Sequence, residues 1–183
     1  MGQQGARKTH RGQMPVQTRP RTTQRRPFEL FEDQLLWIGR TKVEVLEQYG
    51  RRLTANAMVQ LAVDLLIEDY RQAGRRSHLV NDLVRSRPPA GRATSEGSFD
   101  LFDDQLLWLA RTKVDLMAAY GQRVSGNAMV QLALDLLIQD YHEKGRGSAL
   151  VTKLVFSEAT AQPEEEGEEA SGGGARSPSF EGG

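Results

Sequence analysis

The chain of 183 residues contains no cysteine. That excludes a disulfide framework, thiolate zinc centres and thiol catalysis, and it agrees with a reducing compartment. No stretch approaches the roughly 18–20 apolar residues of a membrane span, and no apolar signal-peptide core lies near Met1. Histidine is scarce: His10, His78 and His142 are the only three, and none stands at metal-ligand spacing with a second ligand. No Gly-rich loop follows a strand pattern, so the phosphate-cradling motifs are missing. No serine has a base and an orienting acid that recur with it. Acidic pairs such as Glu32–Asp33 and Asp103–Asp104 are present, but they suit helix N-termini better than acid–base work. The expectation is a non-enzymatic, soluble, cytoplasmic protein with no metal, no cofactor and no small-molecule substrate.

Net charge is absent too, but only in the sum, where 24 basic and 24 acidic side chains cancel. Residues 1–27 carry Arg7, Lys8, Arg11, Arg19, Arg21, Arg25 and Arg26 without an acid, which is +7. Residues 157–183 hold Arg176 against seven glutamates, which is −6. Oppositely charged arms of this composition are expected to be disordered.

What the chain has in quantity is its own repetition. NAMVQLA stands at 56–62 and again at 127–133. Sliding the chain by 71 places lays 28–84 on 99–155, with 35 identities in 57 positions and no gap. Such a duplication points to units that complete each other's core. Between the copies, 85–98 has the Pro/Gly/Ser composition of a linker. The domain reading is a basic arm (1–27), helical repeat 1 (28–84), linker (85–98), helical repeat 2 (99–156) and a Gly-rich acidic tail (157–183).

Within each unit the period is helical. Asp33 or its neighbour is a candidate cap with Leu30 or Phe31 as a staple. Leu35, Leu36, Gly39, Val43, Leu46 and Tyr49 then recur as one apolar face, and Gly50 is a stop. Thr54 caps a second helix running to about Gln72 before Gly74, and 77–84 is long enough for two more turns. Gly121, Ser125 and Gly145 repeat the punctuation. The second helix is apolar nearly all round, which demands cover on several sides. A unit of this size cannot supply that cover alone. The fold expected is mainly α: two tandem helix-turn-helix units, each with room for a short N-terminal strand, packed as an intramolecular pseudo-dimer. Trp37 and Trp108, beside Leu35, Leu36 and Ile38, read as core or inter-unit packing.

The stretch YGRRLTANAMVQLAVDLLIEDYRQAG, with a helix and a short FELF segment before it, resembles the ribbon-helix-helix DNA-binding fold (MetJ/Arc type), over about 28–73 and 99–144. The resemblance implies a strand pairing with the strand of a second unit, entry into the DNA major groove, and a second helix whose N-terminus faces a phosphate. It places Arg51, Arg52, Thr54 and Asn56 at the phosphate clamp, with Arg123, Ser125 and Asn127 in the second copy. Arg21, Arg25 and Arg26 of RTTQRR supply basic contacts ahead of the first. The chain departs from that pattern in offering Phe, Leu, Glu and Asp at Phe28–Asp33 and Phe99–Asp104, because carboxylates in a groove meet the phosphate field with repulsion.

Two functions remain open from the residues. One is a DNA-binding regulator or partition-type factor. The other is a helical adaptor or scaffold for a protein or membrane-associated complex, with the basic arm on anionic headgroups as a lesser variant. Arg40, Lys42, Arg51 and Arg52 gathered on one face would favour DNA. Their pairing with Glu44, Glu47 and Asp64 would favour the adaptor.

Overall fold

A computed structural model of the chain describes residues 21–86 and 91–157. Most of the basic arm, linker residues 87–90 and the acidic tail from 158 lie outside the described residues.

Two strands form where composition predicts arm and linker. β1 spans Thr23–Phe31 and β2 spans Thr94–Phe102, paired antiparallel. Their apolar alternation is confined to the C-terminal halves, where Phe28, Leu30, Phe99 and Leu101 are buried. The N-terminal halves are polar and become strand because each pairs with the apolar C-terminal half of the other strand, Thr23 opposite Phe102 and Thr94 opposite Phe31. Pro27 stands opposite Ser98, its own duplicate 71 places on. Two further bonds lengthen the ladder at its ends, Glu32 N–H to the Ala93 carbonyl and Asp103 N–H to the Thr22 carbonyl, both 3.0 Å. Gly97, opposite Phe28, leaves room for the Phe99 ring, since a Cβ there would lie 2.6 Å from Cε2.

Each strand runs directly into a helix. α1 is Glu32–Tyr49 and α4 is Asp103–Tyr120. The residue at each N-cap is Phe31 or Phe102, not an aspartate. The Gln34 and Gln105 side chains reach back to accept the Phe31 and Phe102 N–H groups at 3.2 and 3.1 Å, the return half of a capping box. Gly50 and Gly121 stop these helices in the left-handed conformation (φ 66° and 67°), which glycine adopts without a Cβ penalty. α2 is Ala55–Ala73, capped as expected by Thr54, whose hydroxyl accepts the Ala57 N–H at 3.1 Å. α5 is Gly126–Lys144, with Ser125 doing the same for Ala128 at 3.0 Å. A short α3, His78–Val80, widens into a π-helical turn at Asn81–Arg85, and the second copy has a matching turn at Val151–Val155.

The molecule is mainly helical with this one small sheet. α2 and α5 pack together at the centre; α2 lies along β2 and α5 along β1, so each copy's apolar helix is covered by the other copy's strand. Met58, Val59, Ala62, Val63 and Leu66 are fully buried with Met129, Val130, Ala133, Leu134 and Leu137. Three edge-on pairs cross between the copies: Trp37 on Tyr141 and Tyr70 on Trp108, each 5.9 Å between centroids, and Tyr49 on Phe156 at 5.8 Å. Among the described residues no helix is long and apolar enough to cross a membrane.

The face assigned to α1 needs correction. Its buried positions are Gln34, Ile38, Thr41 and Val45, while Leu36, Val43 and Leu46 are exposed. Counting apolar letters picks the wrong stripe because the buried one carries two polar residues, Gln34 and Thr41.

Candidate nucleic-acid interface

The ribbon has a covered face and an open one. Period two puts Phe28 and Leu30 of β1, with Phe99 and Leu101 of β2, against the helices. Thr23, Arg25, Pro27, Glu29 and Phe31 therefore share the other face with Thr94, Glu96, Ser98, Asp100 and Phe102. Its charged residues are Arg25 against Glu29, Glu96 and Asp100, and Glu29 stands directly opposite Glu96. Phe28 and Leu30 are thus not groove readers, and Glu32, Asp33, Asp103 and Asp104 belong to helices.

Arg21 is committed to the protein. Its guanidinium donates to both carboxylate oxygens of Asp104 (2.7 and 3.3 Å), lies 3.6 Å from Asp64, and stacks 4.0 Å over Phe102. Arg92, 71 places on, repeats the clasp with Asp135 (2.9 Å), Asp33 (2.7 Å) and the Phe31 ring (3.8 Å). Partial burial opposes both charges, and the hydrogen bonds and negative charges of Asp104 with Asp64, and of Asp135 with Asp33, together more than offset it, so both arginines titrate above their ordinary value. Arg92 falls in the segment whose composition predicts a linker. The 71-residue shift, continued upstream, aligns Arg21 with Arg92 and Thr23 with Thr94 and was the signal for it.

The remaining candidates divide. Arg25 is exposed on the open ribbon face, and Arg26, also exposed, donates to Gln24 at 2.9 Å. Arg51 and Arg52 are exposed in the loop before α2, and Arg123 in the loop before α5. Asn56 is engaged: its amide donates to Asp100 Oδ2 at 2.9 Å and its oxygen accepts the Asp100 N–H at 3.2 Å. Asn127, its duplicate, is half-buried at the same place in α5. Thr54 and Ser125 are spent as caps, leaving the first amides of each helix, an arrangement that favours an anion.

Polar residues kept in both copies sort by what holds them. Gln60 and Gln131 donate to the Asp100 and Glu29 carbonyls of the opposite copy's strand, at 2.7 and 2.8 Å. Asp64 and Asp135 receive Gln105 and Gln34. Asp69 and Asp140 accept the His78 and Ala149 N–H groups at 2.8 and 2.6 Å. Thr41 and Thr112 are buried. Four pairs have no such employment: Arg40/Arg111, Lys42/Lys113, Arg52/Arg123 and Arg75/Arg146. All are exposed, and among the described residues none is ion-paired. Asp64, a partner open to them, is taken by Arg21.

Among the described residues no group of three His, Asp or Glu could hold a metal. Comparison with protein-family models, curated proteins and solved structures finds no match for this chain.

One titration reports on the join between copies. Burial, and then the Glu44 carboxylate beside it, pushes the Tyr141 phenol up to about 12 from 10.0. The raised folded value favours the neutral form, so this contribution to stability is complete below pH 10 and is lost as pH rises from 10 towards 12. The loss is on the order of 2 kcal/mol. Spectrophotometric titration should show Tyr141 ionising last, after Tyr70, which burial also raises, and Glu44→Gln should bring Tyr141 forward.

Proposed function

We propose that the protein binds nucleic acid through two fused ribbon-helix-helix-like units arranged as an intramolecular pseudo-dimer, gripping the phosphate backbone more than it reads bases. The observation carrying this is the pair of exposed cationic loops, Arg51–Arg52 and Arg123, without ion pairs among the described residues, each directly before the first amides of α2 or α5 and flanking one antiparallel ribbon. Arginine beside a helix N-terminus is suited to phosphate oxygens. The ribbon's open face offers Arg25, Thr23, Thr94 and Ser98 for base edges. Glu29, Glu96 and Asp100 limit how deeply it can enter a groove, so sequence preference is weak. The basic arm adds neutralising charge.

The test is fluorescence anisotropy of the full chain on duplex DNA against salt. The expected log–log slope corresponds to several phosphates at about −0.9 each. Arg51→Ala with Arg52→Ala and Arg123→Ala should lower affinity by roughly tenfold or more and flatten the slope by two to three phosphates. Binding that survives the triple change but disappears without residues 1–20 would overturn the role given to the loops. The outward carboxylates Glu29 and Glu96 favour a second reading, an adaptor for a basic protein segment. Absence of any salt-dependent DNA binding would leave that one standing.

A further inference from the structure

The described residues end beside one of the two cationic loops. Phe156, 62 % exposed, follows the π-helical turn Val151–Val155 and sets its ring edge-on to Tyr49 of the other copy, 5.8 Å between centroids. Tyr49 is the last residue of α1, and Gly50, Arg51 and Arg52 come directly after it. The acids of that end, Glu44 and Glu47, come before the ring, and both arginines come after it. Lys144 and Lys153, in the second copy's last helix and turn, are taken by Asp140 (2.6 Å) and Glu68 (3.5 Å). Arg51 and Arg52 are exposed and have no ion pair among the described residues.

The duplication makes this arrangement one-sided. The duplicate of Phe156 is Arg85, whose guanidinium donates to Asn81 at 3.0 Å, and residues 86–93 after it contain no acid. Past Phe156 the chain turns acidic instead: residues 158–169 hold six glutamates and no basic side chain. Residues 164–166 stand eight to ten places beyond Phe156, a reach of at most about 26–36 Å, while Arg51 is two places from the ring on which Phe156 packs. Tethering at that range holds a charged segment at an effective concentration on the order of millimolar. That populates a contact too weak to form between separate molecules.

We propose that the acidic segment 158–169 docks on the Arg51–Arg52 loop of its own chain, glutamate carboxylates on guanidinium groups. A guanidinium takes a carboxylate in the same forked geometry as a phosphate, so segment and phosphate compete for one place. The Arg123 loop has no such segment beside it, because Arg85 and a stretch without acids stand where the second copy has Phe156 and the tail. One cationic loop is therefore shielded and the other open. The contact is electrostatic and weakens with salt. The shielding of a phosphate site rests on the nucleic-acid reading above; the contact itself does not.

Paramagnetic relaxation in the full chain, without DNA, tests the contact. The sequence has no cysteine, so Ser171→Cys carries a single nitroxide two places past Glu169. The amides of Arg51, Arg52 and Leu53 should broaden more than those of Gln122, Arg123 and Val124, and should recover in high salt. Glu164→Gln, Glu165→Gln, Glu166→Gln, Glu168→Gln and Glu169→Gln together keep the tether and remove the charge, and the loop amides should recover there too. Broadening that persists in this variant would show proximity by tethering alone and overturn the contact, as would broadening centred on Arg146 or on residues 1–20. On duplex DNA the same variant should bind roughly twofold to tenfold tighter than wild type. Adding Arg51→Ala with Arg52→Ala should abolish that gain, and adding Arg123→Ala should leave it, a coupling that general charge repulsion does not produce. An undiminished gain without Arg51 and Arg52 overturns the shielding. DNA binding by none of these chains overturns the nucleic-acid reading and the shielding with it, while the broadening still decides the contact.

Discussion

Leu137→Ala is expected to destabilise both copies together, by roughly 3 kcal/mol, within the 2–5 usual for a fully buried leucine. Leu137 lies in the α2–α5 core with no exposure, as does its duplicate Leu66. The alanine leaves a void lined by residues of both copies, because neither helix has a core of its own into which to relax. Trp37 packs on Tyr141 and Trp108 on Tyr70, so each tryptophan reports on the join from a different copy. Urea unfolding followed in Trp37→Phe and in Trp108→Phe should give coincident transitions, and Leu137→Ala should move both midpoints equally. A shift in one signal alone would show that the copies unfold separately, contrary to the interlocked core.

Gln34→Leu should cost about as much, roughly 3 kcal/mol, although it puts an apolar side chain in the same buried volume. The Gln34 amide donates to the Gln131 carbonyl (2.7 Å) and Asp135 Oδ1 (2.8 Å), and its oxygen accepts the Phe31 N–H. Among the described residues no buried side-chain polar atom lacks a partner. Leucine removes three bonds and strands the Phe31 N–H at a part-buried helix start together with the partners left in the core, and each orphaned buried group costs about 1–3 kcal/mol. Gln34→Glu restores the acceptor but sets a carboxylate against Asp135. Burial and the like charge raise the introduced carboxyl's pKa in the folded state. Its penalty should therefore be greatest at neutral pH and shrink as pH falls and it is protonated. Thermal melts of both variants across pH decide this: a Gln34→Glu protein as stable as wild type at neutral pH would mean the site is wetter than its geometry indicates. Gln105 offers the same experiment in the second copy through Gln60 and Asp64.

Much of this architecture is legible in the residues. The helix limits follow from Thr54, Ser125 and the glycines at 50, 74, 121 and 145, because caps and left-handed stops are local chemistry. The dependence of one copy on the other follows from a second helix too apolar to be covered alone. The strands are only half visible. Their N-terminal halves, TQRRP and TSEGS, resemble linker because each gains its hydrogen bonds from the C-terminal half of the other strand, 63 to 79 residues away. The choice of face on α1 fails for a related reason. Leu36, Val43 and Leu46 look like core by letter, but Gln34 and Thr41 are buried in that place, and the Gln34 amide finds its partners in the other copy.

The candidate interface divides in the same way. That basic residues cluster before each second helix is plain from GRRLT and GQRVS. That Arg21 is withdrawn into a clasp, that Arg92 is its twin, and that Asn56 is tied to Asp100 depend on groups brought together from 43 to 83 residues away. The sequence by itself determined the duplication, the helical period, the stops and the need for a mutual core, since each rests on near neighbours or on total apolar content. Only the tertiary structure decided which polar residues are buried and satisfied, which arginines remain free, and which leucines and valines face water, because burial and pairing depend on what the other copy presents at each position.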